Sequence, residues 1–405
     1  MSDRFACHQR TRARAVMAGL MTIATGPAAA HVKWFSRDAD CSMPPLSPLQ
    51  VVSAPDFLLL GALSLAVMAG ATLLDARLSR SGSPFRAGAD ALDARCVSWL
   101  PRLLRLGLAA FFFVAVLYFG ATPVFLTPEL HALGPWVPAL QLGIAATLLW
   151  RRSAWVGALG IAVLYGSAVA SYGWFHMLDY PVFLAAAAFV AIDSLGRGRH
   201  NDLALALLRA GAGVTLMWGG AEKWLYPWWS EEVVNHQLRA ARGDLSPAFF
   251  MAACGWVEFC AAYALVFGRL GTQVAAWVLL LPFLAAIPVF GALDAIGHAP
   301  IIVVLVMLGL TRTRLPTALQ DAAGLAGALR RGTTCALAAM ATVGFYWGLQ
   351  ALAYRRPGSI DPGLPAVAVL LTALLLLWCT PRLVRWAEAE PWPRRLGSVR
   401  FAQNV

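Results

Sequence analysis

The sequence predicts an all-α, polytopic membrane bundle of about eleven spans. Three observations carry that reading. The chain of 405 residues is 59% hydrophobic and only 13% charged, whereas a soluble domain carries about 25% charged residues. Its mean hydropathy is +0.65, and apolar stretches recur along it. The arginines gather in every second gap between those stretches. Helices follow because lipid offers no partner to open backbone.

The chain opens with Arg4, Arg10, Arg12 and Arg14, a short apolar run from Ala15, and Gly26-Pro27-Ala28-Ala29-Ala30. A basic start, an apolar run too short to span and a small-residue site predict a secretory signal peptide over residues 1–30. Cleavage after Ala30 would leave His31 as the new N-terminus; the alternative is an uncleaved signal anchor. Either way, the segment from His31 to Pro55 is expected outside the cytoplasm.

A span needs about 20 apolar residues. Spans are expected near 57–74, 103–121, 135–150, 154–171, 181–195, 203–221, 248–267, 272–292, 299–311, 332–352 and 364–380. An outside start then places the C-terminus in the cytoplasm of a bacterial-type cell, with the chain in its inner, cytoplasmic membrane. On this threading 21 of the 32 basic residues are cytoplasmic and seven are outside, the rest lying in the signal peptide. That asymmetry follows the positive-inside rule. Trp34, Trp136, Trp174, Trp224, Trp228 and Trp229 fall near outer ends, where aromatic belts form.

The net charge of +11 is spread over short loops, so it reads as a topology signal and excludes nucleic acid as a partner. The bilayer is the expected partner, with an outer-face protein as a further one. Seven cysteines without a CxxC pair argue against a disulfide framework. Most lie in or beside apolar spans, where cysteine is usually a small hydrophobe. No phosphate loop, nucleophile elbow or c-type haem motif is visible.

Spans two to five resemble spans six to nine. Leu104-Arg105-Leu106-Gly107 opens the first set and Leu208-Arg209-Ala210-Gly211 the second. Pro138-Ala139-Leu140-Gln141 runs to Arg152, and Gly255-Trp256-Val257-Glu258 runs to Arg269, with the same spacing. Each set is expected to end in a proline-started span, at Pro181 and Pro300. The pattern predicts two parallel four-helix repeats, residues 103–195 and 203–311. Residues 31–102 form an outer segment, the first span and a cytoplasmic loop. Residues 312–405 add two spans and a cytoplasmic tail.

The second set holds the chemistry. Glu258 lies mid-span, where an ionisable group costs about 3 kcal/mol on insertion scales and marks a functional site by default. It is read either as a proton relay or quinone partner, or as a structural carboxyl, protonated or paired. Glu222 and Lys223 end the sixth span. They are read as an interfacial pair with a snorkelling lysine, or as a site where Lys223 holds an anionic substrate, or pairs with Glu258 to set its pKa. The charged loop beyond them contains His236. His31 could chelate copper through amine and ring, with His176 and Met177 as further ligands, although no HxH or HxxxH spacing is present.

The run from Leu208-Arg209-Ala210-Gly211 to Gly219-Gly220-Ala221-Glu222-Lys223-Trp224, then Gly255-Trp256-Val257-Glu258 and Gly268-Arg269, resembles the DoxX-like membrane protein family. The resemblance covers residues 203–311, with a weaker echo over 103–195. It implies a four-helix bundle and, for members resembling the DoxD subunit, thiosulfate oxidation with quinone as acceptor. The family pattern of an opening arginine, a closing glycine and lysine, and a glutamate in the next helix falls on Arg209, Lys223 and Glu258. Glu258, Lys223 and Glu222 are expected at the reacting site, and Arg209, Trp224 and, from the adjoining loop, His236 as substrate contacts. The spans at both ends depart from the plain family pattern. The expected function is a quinone-linked redox component acting on a small outer-face donor. The alternatives are a non-catalytic scaffold or small-molecule carrier, and outer-face copper handling through His31.

Overall fold

The computed structural model describes residues 35, 42–80, 82–196, 201–268, 271–312 and 324–354. The expected signal peptide, His31, Trp34 and the eleventh span lie outside the described residues. The described helices are α1 (Pro48–Val52), α2 (Pro55–Leu78), α3 (Pro84–Cys96), α4 (Leu100–Tyr118), α5 (Trp136–Leu148), α6 (Ala154–Tyr172), α7 (Pro181–Gly196), α8 (Asn201–Leu225), α9 (Glu231–Asn235), α10 (Arg239–Arg242), α11 (Pro247–Phe267), α12 (Gly271–Phe290), α13 (Ala292–Leu310) and α14 (Gly324–Ala353). The first ten expected spans coincide with α2, α4–α8 and α11–α14.

Eight of these helices are long and apolar enough to cross a membrane, and the chain is a multi-pass membrane protein. The exceptions among the expected spans are α5 and α7, of 13 and 16 residues. At 1.5 Å per residue, α5 covers about 20 Å of a hydrocarbon core of about 30 Å. The loop before α5 makes up part of the difference. Its Phe125, Leu126 and Leu130 are buried, and Gln141 of α5 donates to its Val124 and Phe125 carbonyls at 2.8 and 3.2 Å.

The helices pack in chain order, α4 on α5, α5 on α6, α6 on α7, then α7 on α8, α8 on α11, α11 on α12 and α12 on α13. α13 returns to α4, so the eight form a ring. α4 also touches α7, and α8 touches α13. Each expected four-helix set therefore closes on itself, and the two share a layer made of α4, α7, α8 and α13. α2 and α14 pair with each other and lie against α8 and α11. One apolar core fills the ring. A second, rich in aromatic side chains, sits where α2 and α14 meet α8 and α11.

Two buried arginines do the same work in the two sets. Arg105 of α4 donates to the Leu148 and Leu149 carbonyls at 3.2 and 3.5 Å, at the end of α5. Arg209 of α8 donates to the Leu265 carbonyl at 2.7 and 3.0 Å, and to that of Val266 at 2.7 Å, at the end of α11. The last carbonyls of a helix lack intrahelical donors and carry the negative end of its dipole. A guanidinium satisfies both needs at once.

The final helix of the second set differs from the sequence expectation. Pro300 was expected to start it, but α13 starts at Ala292 and holds Pro300 in its interior. The break comes instead at Gly291, whose φ of +76° suits glycine and few other residues. Pro300 deletes one backbone bond without ending the helix.

Candidate functional site

The site begins at a close crossing of α8 and α11. A Cβ on Gly255 would meet the Gly220 carbonyl at 2.8 Å and run into the Trp224 indole. A Cβ on Gly220 would stand 3.0 Å from the Gly255 carbonyl. Two glycines face to face let the backbones approach, as small residues do in membrane helix pairs. The Trp224 indole N–H donates to the Ala252 carbonyl at 3.1 Å and ties the same crossing from above.

One turn either side of this contact, Lys223 Nζ donates to Glu258 Oε2 at 2.5 Å. Lys223 also donates to the Gly219 carbonyl at 3.2 Å. The lysine thus turns back along its own helix, in the direction helical side chains lean, and meets the carboxylate rather than the headgroups. The pair keeps 16% and 20% side-chain exposure, so it is dry but not sealed. Cys254 sits one turn before Glu258 on α11, within electrostatic reach of both charges.

Glu222 takes a different partner from its neighbour. Successive helical residues point about 100° apart, so Glu222 faces α14, where the Tyr346 hydroxyl donates to Oε1 at 2.9 Å. Both side chains are buried. Around these groups stand Phe57, Trp224, Trp256 and Phe259, with ring centroids 4.9–5.7 Å apart. On the other side Trp218 lies 4.5 Å from the Tyr346 ring. Trp224 and Trp229 are buried, contrary to the interfacial belt expected for them: the first packs on Trp256, and the second stacks on Tyr226 at 3.6 Å.

The structure brings Glu222, Lys223, Trp224 and Glu258 together. Arg209 stands fourteen residues earlier on α8, about 21 Å away along the axis, with its guanidinium bonded to helix-end carbonyls and, at 3.1 Å, to Thr272. His236 is exposed, in the loop after α9. His176 is buried in a 3-10 turn, His176–Asp179, with ring centroids 5.8 Å from Tyr172 and 6.1 Å from Tyr180. Among the described residues no three His, Cys, Asp or Glu side chains converge as a metal set. What converges instead is an ammonium, two carboxylates and a phenol, bordered by packed aromatic rings.

A second buried polar cluster lies where the two sets meet. The Tyr180 hydroxyl donates to Glu129, which also accepts from Thr127 at 2.7 Å. Burial, and then the charge of Glu129, push the Tyr180 phenol well above its ordinary value. Asp294 and His298 of α13 pair at 2.9 Å. Tyr180, Thr127, Thr215 and His298 line a cavity of about 20 Å³, room for one water.

Sequence reasoning reached Glu258, Lys223 and Glu222 but missed Tyr346, Tyr180 and the neighbourhood of Cys335. A tyrosine within a span is a usable signal, because its hydroxyl demands a partner there. No protein-family model, curated protein or solved structure matches this chain.

Proposed function

We propose that the chain is a quinone-linked redox component of a bacterial-type cytoplasmic membrane, taking electrons from a small anionic donor such as thiosulfate at the outer face. The observation that carries this reading is the Lys223–Glu258 ion pair, held within membrane-spanning helices and bordered by aromatic rings. A quinone carbonyl needs a hydrogen-bond donor, and its reduction needs protons. Lys223 supplies the first, and the Glu258 carboxylate relays the second by taking up a proton and passing it on to the reduced ring. The partial exposure of the pair gives a lipid-borne ring an approach. Glu222, bonded to Tyr346, is the next residue to Lys223 and anchors that end of α8 against α14.

The arginine distribution supports an orientation in which the 226–246 loop lies outside, on the side of the proposed donor. The DoxX-like resemblance over residues 203–311 supports the same pairing of donor and acceptor. The test is reduction of a short-chain quinone by the purified protein in nanodiscs, with thiosulfate and other sulfur anions as donors. Turnover in the wild type, lost at least about 100-fold in Glu258→Gln, is the expected result. No quinol from any donor would sink the reading and favour a scaffold or carrier.

A further inference from the structure

Cys260 of α11 and Cys335 of α14 are 75 positions apart in the chain, yet their sulfurs lie 3.8 Å apart. Both are buried, at 9% and 1% exposure. The Cys335 thiol donates to the Cys260 sulfur, and Ser64 of α2 stands beside it. Beside them the Tyr263 and Thr334 hydroxyls bond at 2.8 Å. That bond joins the same two helices and holds them in register. Two thiols in van der Waals contact on a fixed seam are placed to approach the S–S bond length of about 2.05 Å.

We propose that Cys260 and Cys335 form a two-electron dithiol–disulfide site inside the membrane, whose oxidant is a lipid-soluble quinone. The choice of oxidant rests on the quinone reading above; the pairing itself rests on geometry. Cys260 is about 20 Å along α11 from Pro247 and about 10 Å from Phe267, and both sulfurs are buried in the helix seam, which shields them from bulky water-soluble disulfides. A quinone dissolved in the bilayer reaches the depth of the pair without crossing the headgroups. In the reaction both S–H bonds break and one S–S bond forms. The two electrons and two protons pass to the quinone, whose carbonyl oxygens become the hydroxyls of a quinol. Quinol formed and disulfide formed are therefore equal.

Cys260, whose sulfur accepts from the Cys335 thiol, is the attacking thiol, since hydrogen bonds favour the thiolate: its sulfur adds to a quinone carbonyl carbon and its proton goes to the carbonyl oxygen. Cys335 then attacks the Cys260 sulfur, the S–S bond forms as the S–C bond breaks, and the quinol leaves with the second proton. The product is a covalent clasp between the helices that supply Glu258 and Tyr346. The redox state of the membrane pool then reaches both sides of the Glu222–Lys223 site.

The experiment starts with full-length protein in nanodiscs, reduced and made anaerobic. It is exposed to a short-chain quinone, or to diamide as an oxidant that needs no quinone site. Samples are then denatured with a maleimide present and mapped by peptide mass spectrometry. Quinone should protect Cys260 and Cys335 together, yield a cross-linked peptide two hydrogens lighter, and produce one quinol per disulfide. Cys96 and Cys254 should stay alkylated. Cys260→Ser and Cys335→Ser should each abolish the cross-link and its quinol. Failure of both oxidants to close the pair overturns the proposal. Closure by diamide but not by quinone overturns the assigned oxidant, and takes the quinone reading with it if no donor gives quinol. Donor-driven quinol formation at the wild-type rate in both serine variants overturns the pair's redox part and leaves the quinone reading standing.

Discussion

Lys223 and Glu258 meet at 2.5 Å across the α8–α11 crossing, although one closes its helix and the other sits at the middle of its own. The lysine stem spans the difference by folding back over Gly219. Two charges in a membrane interior are tolerable together and costly apart.

Removing either charge alone should therefore destabilise more than removing both. Lys223→Met or Glu258→Leu is expected to cost about 3–5 kcal/mol, the range for breaking a buried pair. The double variant should recover most of it. Thermal unfolding in detergent measures the cycle; additive losses would mean the pair is uncoupled.

Gly255→Ala places a methyl group against the Gly220 carbonyl and the Trp224 indole. Overpacking of this kind costs about 1–3 kcal/mol. It should also lengthen the Lys223–Glu258 contact and so reduce quinone turnover, although no charge is changed. Normal stability and turnover in Gly255→Ala would show that the helices have room to spare.

Arg209→Lys keeps the charge but loses the fork that reaches Leu265, Val266 and Thr272 together. A loss of about 1.5–3 kcal/mol is expected, the value of hydrogen bonds to a charged group. Arg105→Lys should cost less, because its bonds are longer at 3.2 and 3.5 Å. Equal losses, read from unfolding midpoints, would contradict the difference in geometry.

Tyr180 gives a pH signature. Burial and the Glu129 charge raise its phenol above the unfolded value, which is about 10. A raised folded value means that the stabilisation is complete below pH about 10 and is lost as pH climbs through the folded value. Stability measured from pH 8 upward should fall on the alkaline side in the wild type. Tyr180→Phe should start lower and fall less steeply.

Most of the architecture was legible before any coordinates. Lipid demands about 20 apolar residues per crossing, so the apolar runs located ten helices, most of them within about four residues of their ends. The starts of α13 at Ala292 and α14 at Gly324 were the clear misses; in the first case a proline is a conspicuous breaker and Gly291, with its positive φ, is not. Glu258 and Lys223 stood out one by one, since ionisable residues in spans are rare.

The sequence by itself determined that this chain crosses a membrane repeatedly, and which residues interrupt the apolar helices. Which interruptions meet was decided by the tertiary structure: Lys223 with Glu258, 35 positions on, Glu222 with Tyr346, 124 positions on, and Cys260 with Cys335. The reason is physical. A helix in lipid is apolar on its packed face and its outer face alike, so its pattern carries little record of what it packs against. Helix order around the ring, and every contact that depends on it, emerges only when glycines such as Gly220 and Gly255 let particular pairs close.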